Sequence, residues 1–138
     1  KGMTDEAIAE FNKALELKPG FIAPRYNLAK AYRKKGMNEK SLGEYEKIVR
    51  EQPFHASSYN NMGSIYLEMG LYDKALEKLK KALEIDPDLM EAHYNLGMVY
   101  LKLGLYDKAR LELEAVLRLR PGHPQTLKHL EEIDKAGR

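Results

Sequence analysis

The stretch GLYDKALEKLKKALEIDP at residues 70–87 returns 34 residues later as GLYDKARLELEAVLRLRP at residues 104–121. Each copy opens on a glycine, places an acid three residues on and then sets apolar residues at three- and four-residue steps, as in Ala75, Leu79, Ala82 and Leu83. That step is the period of an α-helix with one buried face. The closing proline has no amide hydrogen and biases the residue before it away from helical angles, so it ends the helix. One copy is therefore an amphipathic helix with a start signal and a stop signal.

Laid out in rows of 34, the chain aligns Gly2, Gly36, Gly70 and Gly104, and likewise Pro19, Pro53, Pro87 and Pro121. Small residues share columns, with Ala29, Gly63 and Gly97 in one and Ala7, Ser41, Ala75 and Ala109 in another. Large ones do the same: Leu28, Met62, Leu96 and Leu130; Tyr32, Tyr66 and Tyr100; Phe11, Tyr45, Leu79 and Leu113. Ahead of each glycine a second helical pattern runs, as in Tyr59, Met62 and Tyr66, so each row holds two helices. Glycine ends the first helix because it enters the left-handed conformation without a side-chain penalty. Asp5, Glu39, Asp73 and Asp107 then stand at the start of the second helix, where a negative charge meets the positive end of the helix dipole. A lone helix pair has more apolar face than it can hide, and stacking copies covers it.

Composition agrees with a folded, charge-rich helical chain: 43% of its 138 residues are hydrophobic and 32% charged, with six prolines. The net charge of +2 comes from interleaved basic and acidic residues, so no single-sign field calls for nucleic acid as a partner. The absence of cysteine excludes disulfides, thiolate metal sites and cysteine nucleophiles. No apolar run approaches the roughly 20 residues of a membrane-spanning helix.

The places of Leu-Gly, Tyr, Ala, Phe or Tyr, Ala and Pro within 34 residues resemble the tetratricopeptide repeat family. Residues 90–123 match best, through Leu96, Gly97, Tyr100, Ala109 and Pro121, and 56–89 nearly as well. Residues 22–55 depart most, with Ser41 for alanine and with Ile48 and Glu51 where other rows have Ala82 and Ile85, so this row is expected to pack most loosely. The resemblance implies an all-α, right-handed superhelical solenoid of antiparallel helix hairpins. Its expected parts are a second helix from a truncated repeat within 1–21, full repeats at 22–55, 56–89 and 90–123, and a C-terminal capping helix at 124–138. The first helix is expected at 4–18, with Lys1 and Gly2 in the preceding turn, as in a fragment cut inside a repeat. Its uncovered apolar face predicts self-association. In the cap, Leu127, Leu130 and Ile133 are expected to touch the neighbouring helix while Glu131 and Asp134 face water.

By resemblance, function lies in a concave groove lined by the first helices. The columns expected there include Tyr26, Asn60 and Tyr94; Asn27, Asn61 and Asn95; Lys30, Ser64 and Met98; and Lys34, Glu68 and Lys102. The asparagine column is the sharpest signal, because a primary amide donates and accepts and so can pair with an extended peptide backbone without reading its side chains. Similar asparagine ladders hold extended peptides in family members, including the repeat domain of protein O-glycosyltransferases. Tyr26 and Tyr94 beside the ladder would supply rigid contact area, and Lys30, Arg33 and Lys34 make one end of the groove basic. Some family members grip a terminal carboxylate with lysine, arginine and asparagine. Here Asn61 fits that scheme, but Tyr26, Lys30, Glu91 and Asn95 replace its other members, so the clamp is not expected.

No constellation of nucleophile, base and orienting group is legible, and no cofactor or metal is expected. His55, His93, His123 and His129 are scattered; His93 is expected to be structural, His123 and His129 exposed. GMNEKSLG at 36–43 is no phosphate loop, since Lys-Ser does not follow its second glycine. The expected function is a non-catalytic protein-protein interaction module that binds a partner segment or extended peptide. The alternatives are a substrate-selecting segment of a larger enzyme such as a protein O-glycosyltransferase, and a scaffold that self-assembles end to end.

Overall fold

The computed structural model describes residues 2–137. They form eight helices and no strand: α1 (Gly2–Leu17), α2 (Ile22–Lys34), α3 (Asn38–Glu51), α4 (Ala56–Glu68), α5 (Tyr72–Ile85), α6 (Met90–Lys102), α7 (Tyr106–Leu119) and α8 (Pro124–Ala136). Each helix packs on its neighbour in sequence, and α4 also packs on α6, which is the contact pattern of a solenoid. The first helix begins at Gly2 rather than in a turn, while Lys1 lies outside the described residues.

The punctuation acts as the residues dictate. Gly36, Gly70 and Gly104 take φ of 77°, 75° and 73°, and behind Gly70 the Leu71 amide donates to the Tyr66 carbonyl at 2.9 Å, closing α4 with a left-handed cap. Glu39, Asp73 and Asp107 each sit in the first turn of the helix that follows. Lysines one residue on, Lys40, Lys74 and Lys108, lie over the rings of Tyr32, Tyr66 and Tyr100 at 5.6, 5.6 and 5.8 Å. Each turn is thus pinned by a cation–π contact as well as by its glycine.

Two helices of a row meet most closely at the small-residue column. A Cβ on Gly63 would lie 2.5 Å from Cγ of Leu79, and one on Gly97 would lie 3.0 Å from Cδ2 of Leu113. Both leucines are fully buried. At the matching place in the first full row, Ala29 and Tyr45 share one core cluster with Leu42, Ile48, Met62 and Ile65. As expected, α2 and α3 meet less extensively than the helices of the other two full rows, yet the departing positions are filled: Ser41, Tyr45 and Ile48 are fully buried, and the Ser41 hydroxyl donates to the Ala29 carbonyl at 2.6 Å. Serine fits where alanine stands elsewhere because its one polar group is bonded.

On the other side of each hairpin a second column ties the pair. Arg25 meets Glu44 at 2.7 Å, Lys78 lies over Tyr59 at 5.8 Å, and His93 bridges Glu112 at 2.8 Å and the Pro87 carbonyl at 2.7 Å. His93 is structural, as its column suggested. Leu127 holds this column in α8 and is 49% exposed, contrary to the contact expected of it, because no described helix packs over that face. Thr126 and Ile133 are the buried residues of α8, and Glu131 and Asp134 are exposed.

Candidate functional site

The first helices α2, α4, α6 and α8 join along a seam, and most of the residues expected to line the groove sit on it. A side chain on one first helix meets the side chain 35 positions later on the next. Asn61 Nδ2 donates to the Tyr26 hydroxyl at 2.8 Å, Asn95 Nδ2 donates to Asn60 Oδ1 at 3.0 Å, and the Tyr94 ring lies 6.1 Å from that of His129. Asn61 Nδ2 also donates to the Tyr45 hydroxyl at 3.1 Å, and Asn60 Nδ2 reaches Asn61 Oδ1 at 3.4 Å.

The asparagine column is therefore three different groups, not a ladder of equals. Asn27 is exposed and makes no side-chain hydrogen bond among the described residues. Asn61 has both amide hydrogens occupied by tyrosine hydroxyls. Asn95 keeps one amide hydrogen and its carbonyl. Asn60, expected to line the groove, is only 7% exposed and instead bonds the amides on both sides of it. With Asn61 as donor, the hydroxyls of Tyr26 and Tyr45 act as acceptors toward it and keep their own hydrogens for another group.

Tyr45 is the buried anchor of this network. It packs edge-on against Tyr26, with ring centroids 5.8 Å apart and planes at 73°. Burial pushes its hydroxyl up to about 12, against a lowering by the Asn61 hydrogen bond and a small raising by Tyr26. Burial likewise raises Tyr94. At the basic end, Arg33 donates to Ser64 Oγ at 2.7 Å and pairs with Glu68, so two of the expected groove residues are engaged by a third. Lys30, Arg33 and Lys34 line a pocket with Tyr45, Asn61 and Glu68, and Met98 and Lys102 line another with His129.

Two histidines have a place that sequence reasoning missed. His55 and His123 cap α4 and α8: each Nδ1 accepts from a backbone amide at 3.3 Å, Ser58 or Thr126, and lies 2.8 Å from that residue's hydroxyl. His55 leans on Tyr26 at 5.6 Å and His123 on Tyr94 at 5.5 Å, so the same tyrosine–histidine unit occurs in alternate rows. His123 and His129 are half-buried rather than exposed, since Tyr94 lies between them. The signal was a histidine followed three residues on by Ser or Thr immediately before a helical pattern. Replacing His55 or His123 by alanine should cost about 1 kcal/mol each, the usual worth of an N-cap, measured by urea denaturation at neutral pH. His129→Ala, which removes no cap, should cost less.

These features define an all-α solenoid of stacked helix hairpins with a polar inner face. Models of tetratricopeptide repeats match residues 1–36 and 63–104, 90–123, 44–77 and 25–55. The chain belongs to the tetratricopeptide repeat family. A search of the curated proteins found no match. Among solved structures it is similar to MamA, at 25% identity and a TM-score of 0.89, covering 99% of this chain and 80% of that one. It also resembles YrrB, described as a TPR protein with an unusual peptide-binding site, at 24% identity and a TM-score of 0.78, covering 99% and 70%. A third is the first TPR of Spaghetti (RPAP3) bound to the HSP90 peptide SRMEEVD, at 20% identity and a TM-score of 0.80, covering 83% and 91%.

Proposed function

We propose that the protein is a non-catalytic interaction module that holds an extended peptide segment along the inner face of α2, α4 and α6. The observation that carries this reading is the seam network. Asn60 and Asn61, together with Tyr26 and Tyr45, fix the geometry of the face, while Asn27, the donor capacity of the Tyr26 hydroxyl and the unused half of Asn95 stay available. A donor–acceptor set held in place before binding loses little ordering entropy when a peptide backbone pairs with it. Two solved neighbours are described as peptide binders, and their likeness to this chain is one of fold.

In this reading Asn27 and Asn95 contact the peptide and Asn61 positions the two tyrosines. The test is selection from a displayed library of unstructured peptides, followed by affinity measurement on the best binder. Asn27→Ala and Asn95→Ala should each weaken it about 5- to 30-fold, the loss of one or two hydrogen bonds of about 1 kcal/mol each. Affinity unchanged in the double variant would refute the assignment.

A further inference from the structure

One tie of the first full row recurs in the third with its geometry kept and its chemistry changed. On α2, Arg25 donates to Glu44 Oε1, 19 positions later, at 2.7 Å and to the Pro19 carbonyl, six positions earlier, at 2.8 Å. Two rows on, His93 on α6 stands 2.8 Å from Glu112 Oε1 and 2.7 Å from the Pro87 carbonyl, at the same two offsets. Arginine serves both acceptors from separate nitrogens of one permanent cation. The row between has no such group, since Tyr59 takes the arginine's place and Lys78 the glutamate's.

His93 can serve both acceptors only as an imidazolium. Nδ1 faces the carboxylate and Nε2 faces the carbonyl, and an ionised carboxylate and a carbonyl only accept. A neutral ring has a single N–H, so its lone pair would meet one of the two oxygens at hydrogen-bond distance. The half-buried carboxylate needs the charge as well. Among the described residues Glu112 pairs with no other cation, and no charged side chain of α4 or α5, the other helices packed on α6, pairs with the ring. Asp86, in the turn before α6, accepts from the Asp88 amide at 3.2 Å.

We propose that His93 is a proton-operated brace. With a proton on both ring nitrogens it ties the α5–α6 turn to α7, and losing one of them releases one of the two ties. The arginine of the first full row makes the same bridge without a switch, since only histidine ordinarily changes charge between about pH 5 and 8. The device lies in the packing of the third full row and does not depend on the peptide reading above.

The histidine caps make the opposite demand. His55 and His123 accept at Nδ1, so acid weakens the starts of α4 and α8 while it completes the brace. Comparison with His93→Arg isolates the brace, because the caps titrate equally in both proteins. Below about pH 5.5 the folded and unfolded chains both hold the proton and the brace contributes fully. Above it the unfolded chain sheds the proton first, and the contribution fades as the folded chain follows. The urea midpoints of wild type and His93→Arg should therefore keep a constant separation in acid and move apart toward about pH 8, the wild type falling. Nitrogen-15 NMR of the histidine rings gives a second reading on the wild-type protein itself. At about pH 7, where a histidine of an unfolded chain is mostly neutral, His93 should carry hydrogens on both ring nitrogens. Midpoints that stay parallel over the whole range, or a His93 ring with a single hydrogen at neutral pH, would overturn the proposal.

Discussion

Leu79→Ala should lower the free energy of unfolding by about 3–5 kcal/mol, the range for truncating a fully buried leucine that leaves a cavity. Leu79 is 0% exposed, and the residue it packs against is Gly63, which has no side chain to move into the space. Gly63→Ala alone should also destabilise. Its new methyl would stand 2.5 Å from Leu79 Cγ and 2.7 Å from Cδ2, and overpacking of this kind costs about 1–3 kcal/mol against a gain of about 1 kcal/mol from helix propensity. Combined, the two should not add. With Leu79 cut back the methyl meets open space, so Gly63→Ala becomes stabilising by up to about 1 kcal/mol in the Leu79→Ala background. Gly97→Ala makes the control, because its methyl meets Leu113 at 3.0 and 3.1 Å, where a shift of a few tenths of an ångström relieves it. Urea denaturation of the four variants and wild type reads the cycle; a Gly63→Ala effect of the same sign in both backgrounds contradicts this packing.

The second large effect is alkaline. The Tyr45 hydroxyl is raised to about 12 by burial, against about 10 for an unfolded tyrosine. Below pH 10 the group is neutral in both states and its contribution to stability is complete. Between pH 10 and 12 the unfolded chain ionises while the folded one stays neutral, so this contribution is lost as pH rises through that window. The loss is on the order of 2 kcal/mol. Lysines and the other tyrosines titrate in the same range, so the measurement is the difference between wild type and Tyr45→Phe. Plotted against pH, wild-type stability should fall more steeply than that of the variant from pH 10 upward. At neutral pH Tyr45→Phe should cost about 1 kcal/mol, since one Asn61 hydrogen loses its acceptor. Parallel curves would mean that Tyr45 is not held neutral by its surroundings.

The fold was legible because every instruction recurs. A glycine at position 36, 70 or 104, an acid three residues on and a proline to end the second helix each have a local cause, and local causes survive in any context. The columns also showed Gly63 and Gly97 as a shared small-residue position, but that Leu79 and Leu113 come up against them is visible only in the structure. The inner face was legible only as a set of candidates. Whether Asn27, Asn61 and Asn95 are equivalent depends on what lies 35 positions earlier, and that residue differs: Tyr26 for Asn61, Asn60 for Asn95. The family resemblance puts Asn60 in the open groove, in one column with Tyr26 and Tyr94. A shorter side chain at that place stays within the seam and becomes buried, where tyrosine reaches out of it. The caps of His55 and His123 escaped notice because histidine is an uncommon N-cap. Its role there follows from a ring nitrogen within reach of the Ser58 or Thr126 amide.

What the inner face can hold depends on which asparagine amides are free. Side-chain NMR of the asparagine amides, recorded as a peptide chosen by display is added, tests this directly. The Asn27 and Asn95 signals should shift with the same saturation curve, and the Asn61 signal, bound to Tyr26 and Tyr45 throughout, should move least. Saturable binding that leaves Asn27 and Asn95 in place and shifts residues outside the α2–α4–α6 face would contradict it.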